Sequence, residues 1–196
     1  MARNPARRTE LLDAATDLLA DVGARGLTFR GVDERAGAPT GTTSNYFRSR
    51  DELLRELCDH VFTRLTPDPA YVEDRLQAPP TRELETTLMR DLVDRAEADR
   101  AGHLALFELR MEASRRPELR EVFTARFRAN LQAITADHVE GGFPGGPETA
   151  RVLYLAMTGL LFEHLTLPGL HAGSEAELAE LVASVVARIV PTGPET

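Results

Sequence analysis

The sequence predicts an all-α fold, and three observations carry that expectation. Apolar residues recur three and four positions apart, as Leu11, Ala15, Leu18 and Val22 do. Capping boxes, Ser49 with Glu52 and Ser174 with Glu177, open two of the later apolar runs. No stretch alternates polar and apolar residues as a half-buried strand does, and no internal repeat is present. With 196 residues, 42% of them hydrophobic and 28% charged, the chain is long enough to bury a real core, in two unequal parts.

The elements follow in order. The first helix spans about Thr9 to Val22, with Leu12 and Leu19 beside the apolar stripe and Gly23 as its stop. Thr28 can cap a short second helix carrying Phe29, Val32 and Ala36, which Gly37 ends by taking the left-handed conformation. A third short helix fits Pro39 to Tyr46. At Ser49 the hydroxyl can accept from the Glu52 amide while the Glu52 carboxylate reaches back, opening a longer helix that bears Leu53, Leu54, Leu57, Val61, Phe62 and Leu65. Prolines at 67, 69, 79 and 80 mark breaks, since each lacks a donor and disfavours helix at the residue before it. Between and beyond them the chain is helical again, with candidate helices Arg82 to Arg100, Gly102 to Arg115, Pro117 to His138, Glu148 to Thr166 and Glu175 to Val190. Gly141 to Pro147 is a loop on composition. The total is about nine helices.

Charge narrows the function classes. The formal net charge is −8, and every one of the 23 basic residues is Arg. That balance excludes a wholesale polyanion binder or a polybasic membrane-surface protein. Residues 1–64 carry ten Arg and ten acids, whereas 65–196 carry thirteen Arg and twenty-one acids, so the negative charge lies in the C-terminal two-thirds. Residues 1–50 hold eight Arg against six acids, and any nucleic-acid contact must be local to them. A single cysteine, Cys58, forms no internal disulfide and reads as a packed core residue; the N-terminus lacks the apolar segment of a secretory signal. The expected location is cytoplasmic. The longest uncharged apolar run, Val152 to Phe162, falls short of the ~20 residues that span a bilayer.

Thr28 to Phe47 has helix-turn-helix spacing: two short helices joined by a tight turn that holds Gly37. Its second helix is crowded with small hydrogen-bonding residues, Thr40, Gly41, Thr42, Thr43, Ser44 and Asn45. These are poor helix formers, which suggests a tip read from outside. Arg50 places a cation in the first turn of the next helix, against the macrodipole; a bound phosphate there would resolve the conflict.

Taken as a set, Ala14-Ala15, Gly23, Leu27-Thr28, Ala36-Gly37-Ala38, Gly41-Thr42, Tyr46-Phe47, Ser49-Arg50 and Leu53-Leu54 resemble the N-terminal signature of TetR-family transcriptional regulators, over about residues 7 to 55. The family commonly has an aromatic where this chain has Ser44, and Lys where it has Arg50. The resemblance implies a DNA-binding domain over residues 1–55 and a helical effector-binding and dimerisation domain over 56–196. It implies phosphate contacts by Thr28, Tyr46 and Arg50, with Arg30 and Arg48 beside them, and puts Phe47 in the core. Thr40, Gly41, Thr42, Thr43 and Asn45 would then face the major groove, where Asn45 can pair with adenine and a Thr methyl can touch thymine. Arg3, Arg7 and Arg8 would form a basic arm along the backbone or minor groove, or else a solvated terminus.

The C-terminal region offers separate support for pairing. The helix from Glu148 is apolar nearly all round and needs cover on more than one side. The expected dimer interface takes Leu153, Met157, Leu160, Leu161 and His164 from it, with Leu178, Val182, Val185 and Ile189 from the last helix, as a two-fold four-helix bundle. Met89, His103, Phe107, Met111, Phe123, Phe127, Tyr154 and Met157 lie on apolar faces and are the candidates for a cavity; singly, each is more often core. Glu108 shares that surface, with Arg110 or Arg126 the expected partner. The run from Phe107 through Glu112 to Arg115, Arg116 and Arg120 resembles a pattern of one branch of these regulators. The resulting expectation is a homodimeric repressor on a palindromic operator, released by a small, largely apolar effector, with no cofactor, metal or membrane. Two alternatives stand beside it: a helical enzyme using His103 or His164 with Glu108 or Glu163, and a helical dimer acting through protein partners.

Overall fold

The computed structural model describes residues 4–75 and 77–193. They form ten α-helices and no strand: α1 (Pro5–Gly26), α2 (Phe29–Arg35), α3 (Thr42–Tyr46), α4 (Arg50–Leu65), α5 (Pro69–Arg75), α6 (Arg82–Ala98), α7 (Arg100–Ala113), α8 (Pro117–Glu140), α9 (Pro147–Thr166) and α10 (Glu175–Ile189). The all-α class holds, and α5 is the short helix between the two proline breaks.

Several boundaries move for local reasons. α1 begins ahead of Thr9 because the Asn4 side chain accepts from the Ala6 amide at 3.0 Å and Pro5 opens the first turn, where its missing N–H costs nothing. Gly23 breaks α1 as expected, at φ +69°, and a last turn runs on to Gly26. α3 is shorter than its expected span, since Pro39 to Thr42 forms a turn closed by the Thr42 amide on the Pro39 carbonyl at 3.0 Å. Both capping boxes form with one difference. Glu52 and Glu177 donate their amides to Ser49 and Ser174 at 3.1 and 3.3 Å, while their carboxylates accept from Arg48 and Gly173, one residue before the cap, at 2.7 Å each.

The helices divide between two compact units. The first takes the chain up to Thr66 together with Asp99–Arg126, so that α1, α2, α3, α4 and α7 share one core. Leu11, Ala15 and Leu19 of α1, Leu53, Leu57, Cys58 and Val61 of α4, and Ala105 and Leu109 of α7 are fully buried there. Truncating such a leucine to alanine costs about 2–5 kcal/mol, so this core dominates the unit's stability. Phe47 is buried as expected. Cys58 is also inside, and burial pushes its thiol up to about 12, which keeps it protonated and unreactive.

The second unit takes Pro67–Ala98 and the chain from Phe127 onward. In it α6, α9 and α10 pack on one another through Val93 and Ala96, Leu153, Met157, Leu161 and Leu165, and Leu178, Val182 and Val186. The Arg82 guanidinium donates to the Val190 carbonyl at 2.7 Å, and His164 Nε2 lies 2.7 Å from a Glu97 carboxylate oxygen. This arrangement divides the residues expected at the dimer interface. Leu153, Met157, Leu161, Leu178 and Val182 are buried within the chain's own packing, while Leu160, His164, Val185 and Ile189 are half-buried. A helix apolar on every side shows no preferred inner face in its sequence. The face of α9 left in solvent carries Val152, Leu155 and Phe162, with Leu155 68% exposed.

Candidate nucleic-acid interface

Local chemistry builds the surface around α2 and α3. Thr28 caps α2, its hydroxyl accepting from the Gly31 amide at 3.1 Å. The tight turn that follows leaves Gly37 and Gly41 at positive φ, and Gly41 is the N-cap residue of α3. Gly41 suits the left-handed backbone but has no side chain with which to cap. Asp33, on α2 and only 2% exposed, supplies what is missing: its carboxylate accepts from the Gly41 amide at 2.7 Å, from the Thr43 amide at 2.7 Å and from the Thr43 hydroxyl at 2.5 Å. Three charge-assisted bonds to one buried carboxylate fix α3 against α2. Sequence reasoning did not single out Asp33; the signal was an acid on an otherwise apolar face beside Val32, followed by a helix start without a capping side chain.

The same geometry sorts the expected base-reading residues. Thr43 is 0% exposed and its hydroxyl is taken by Asp33, so its expected place at a base edge is corrected to a structural one. Thr40 and Asn45 are exposed, and Thr42 is half-buried with its hydroxyl donating to the Pro39 carbonyl at 2.6 Å. Ser44 is exposed beside Asn45, its hydroxyl donating to the Gly41 carbonyl at 2.7 Å.

The cations fall into two groups. Arg30 and Arg48 are exposed, Arg30 pairing with Glu34 one turn on at 2.9 Å. Arg50 is turned inward. Its guanidinium donates to the Ala24 carbonyl, donates to the Leu27 carbonyl at 3.3 Å, and lies 3.7 Å from a Glu112 carboxylate oxygen. The conflict with the α4 dipole is thus answered by the protein's own acids, Glu112 with Asp51 and Glu52 in the first turn, and no bound phosphate is required for it. The expected basic arm is corrected too. Arg7 and Arg8 lie within α1, where Arg7 pairs with Glu10 at 2.8 Å. Arg8 forms a two-point contact with Glu56, donates to the Tyr46 carbonyl at 3.1 Å and stacks over the Phe47 ring at 4.6 Å. Arg3 lies outside the described residues. Tyr46 is half-buried, its backbone held by Arg8.

The candidates for effector contact are divided. His103, Phe107, Glu108, Met111 and Phe123 belong to the first unit, and Met89, Phe127, Tyr154 and Met157 to the second. His103, Phe123 and Met157 are buried, and Met89, Phe107, Phe127 and Tyr154 are half-buried. Met111 is 53% exposed, which corrects its expected place in an enclosed apolar core. Glu108 accepts from the Ala24 amide at 3.3 Å, just past the Gly23 break, while Arg126 stacks on Phe62 at 5.2 Å and faces Asp59 at 3.9 Å. Of the two partners expected for Glu108, Arg126 is thus engaged with Asp59 and Phe62. An open groove of about 460 Å³ in the second unit is lined by Asp74, Arg75, Thr81, Glu83, Leu84 and Thr87 among others, none of them an expected effector contact. Among the described residues no group of His, Cys, Asp and Glu could hold a metal ion, and no helix is long and apolar enough to cross a membrane.

Comparison with known proteins agrees with this geometry. The sequence profile "Bacterial regulatory proteins, tetR family" matches residues 11–57, and "Tetracyclin repressor-like, C-terminal domain" matches residues 80–192. The HTH-type transcriptional regulator BetI of Escherichia coli (strain K12 / DH10B) is 37% identical over 81 residues, 37% of this chain and 42% of BetI. That of Klebsiella pneumoniae (strain 342) is 34% identical over 87 residues, 40% of this chain and 45% of the relative. The match thus spans less than half the length of those relatives. Solved structures match along nearly the whole chain. A TetR-family member from Streptomyces coelicolor A3 superposes with a TM-score of 0.70 at 26% identity, covering 95% of this chain and 99% of that one. The multidrug binding protein EbrR complexed with imidazole gives 0.67 at 27% identity, covering 98% and 99%, and EbrR is also solved with ethidium and with malachite green.

Proposed function

We propose, from the premise that this chain belongs to the TetR family and is a DNA-binding transcriptional regulator rather than an enzyme, that it is a cytoplasmic homodimeric repressor whose operator is released when a small, largely apolar effector binds. Residues 1–55 serve as the DNA-binding domain, and residues 56–196 as the effector-binding and dimerisation domain. The observation that carries the reading is the outer surface of α3 and the turn before it: Thr40 in the turn and Ser44 and Asn45 on the helix stand in solvent on a backbone held by Asp33, with Arg30 and Arg48 also exposed. Thr40, Thr42, Ser44 and Asn45 read base edges, and Thr28, Tyr46, Arg30 and Arg48 meet phosphates.

Dimerisation supplies the second recognition helix about 34–36 Å away, one turn of DNA, and makes the operator palindromic. Its surface is the solvent face of α9, where Val152 and Leu155 are exposed. That EbrR is solved with ethidium and with malachite green supports an effector of similar aromatic, largely apolar character. The effector acts only through its difference in affinity for the operator-competent and operator-incompetent states.

Footprinting on the DNA flanking its own gene tests the proposal. The expected result is one protected, near-palindromic site that Asn45→Ala changes in base preference, while Arg48→Ala weakens binding to all sequences and makes its salt dependence shallower. Absence of any protected site at moderate salt sinks it.

A further inference from the structure

The run Phe107 to Arg116, which stands out in the sequence, ends in three charged residues that the DNA-contacting surface does not use. Glu112, on the last turn of α7, is only 9% exposed. Three guanidinium groups surround its carboxylate: Arg116 donates at 2.6 Å, Arg115 lies at 3.5 Å and Arg50 at 3.7 Å. Arg116 also binds Asp51, so both acids at this junction share one cation. All of these residues belong to the first unit.

Arg50 gives this cluster its reach. Its N–H groups donate to the carbonyls of Ala24 and Leu27, on either side of the turn that leads from α1 into α2. Thr28, the cap of α2, is the next residue. A carboxylate with little access to water holds its charge only beside cations, and a guanidinium in the first turn of a helix needs an anion to offset the dipole. Glu112 and Arg50 each meet the other's need. The Glu112 carboxylate thus lies beside a guanidinium that is itself bonded to both sides of the turn into α2.

We infer that Glu112 is a positioning residue for DNA binding: it touches no DNA, and it acts through Arg50 to hold the entry to the helix-turn-helix in its binding geometry. The inference rests on the DNA-binding reading above. A carboxylate on α7 thereby controls operator affinity from outside the residues that meet the duplex.

The test is a double-mutant cycle in the full-length protein, using a duplex selected by the wild type from a random pool. Glu112→Gln is expected to weaken binding roughly tenfold, within the usual range for coupled sites, with unchanged base preference and an unchanged slope against salt. In the Arg50→Gln background the same change is expected to add less than about twofold, because the route through Arg50 is already gone. Wild-type affinity in Glu112→Gln overturns the inference, and so does an equal loss in both backgrounds. Should Glu112→Gln lose its cooperative melt, Arg116→Gln, which removes the 2.6 Å brace but keeps the Glu112 charge, is read in the same cycle. Amide hydrogen exchange keeps the question independent of DNA. Glu112→Gln should speed exchange over residues 24–31 and leave α10 unchanged; unchanged protection over 24–31 overturns the inference. If the wild type selects no duplex, the DNA-binding proposal fails instead.

Discussion

Asp33 stands in for a side chain that Gly41 lacks. The start of α3 needs both a left-handed residue to complete the turn and an acceptor for its first amides, and no single residue type supplies both well. Placing the acceptor eight residues earlier, on α2, couples the two helices as well as capping one. Loss of that carboxylate leaves two amides and a hydroxyl without their acceptor in a buried site. Asp33→Ala is expected to lower stability by on the order of 3 kcal/mol and to abolish operator binding, as thermal melts and mobility shifts would register. Thr43→Val removes one donor while keeping the shape and should cost only about 1 kcal/mol. It should leave base preference unaltered, in contrast to Asn45→Ala. A changed preference in Thr43→Val would mean that the residue reaches a base after all.

At the scale of the element, α9 separates two kinds of apolar residue that look alike in the sequence. Leu153, Met157 and Leu161 face α6 and α10, whereas Val152 and Leu155 face water. Replacement on the two faces should therefore fail in different assays. Leu153→Ala is expected to lower stability by about 2–5 kcal/mol and leave the oligomeric state intact. Leu155→Glu is expected to leave the melting of the chain nearly unchanged and to convert the proposed dimer to monomer in light scattering. Dimers that persist in Leu155→Glu would place the interface elsewhere. The element scale is also where sequence reading worked best. Caps at Thr28, Ser49 and Ser174 and the stop at Gly23 are decided by residues within a turn of the feature they control, and they stand where they were expected. The start of α1 lies earlier than expected because the Asn4-Pro5 signal precedes the apolar periodicity, and α3 starts later because Pro39 to Thr42 closes as a turn.

Across the whole molecule, the division of charge and of buried groups sets the response to solution conditions. In the second unit Glu85 of α6 and His138 of α8 are both buried, with His138 Nδ1 3.6 Å from a Glu85 carboxylate oxygen. Burial raises the Glu85 carboxyl from 4.5 to about 7 and pushes the His138 imidazole below its usual 6.5. A raised folded-state value means that the folded chain holds a proton the unfolded chain has released. Stability is thus full below about 4.5 and falls as pH rises, until the loss levels off above 7, at roughly 3 kcal/mol. The lowered histidine acts in the opposite sense, removing stability as pH falls below 6.5. Denaturant melts between pH 4.5 and 7 should show the wild type losing stability with rising pH relative to Glu85→Gln; parallel profiles would show that Glu85 does not titrate there. The sequence by itself determined the helical class, the helix-turn-helix and the family, because periodicity, caps and turn residues act over one or two turns of chain. It also put Phe47 in the core, where it is buried. Only the tertiary structure decided that Thr43 and Asp33 bind each other, that Arg50 turns inward to Glu112, that Arg8 pairs with Glu56, and which side of α9 remains in water. Each of these joins residues from ten to more than sixty positions apart, or chooses between faces of equal hydrophobicity, and packing and charge pairing at that range leave no periodic mark in the sequence.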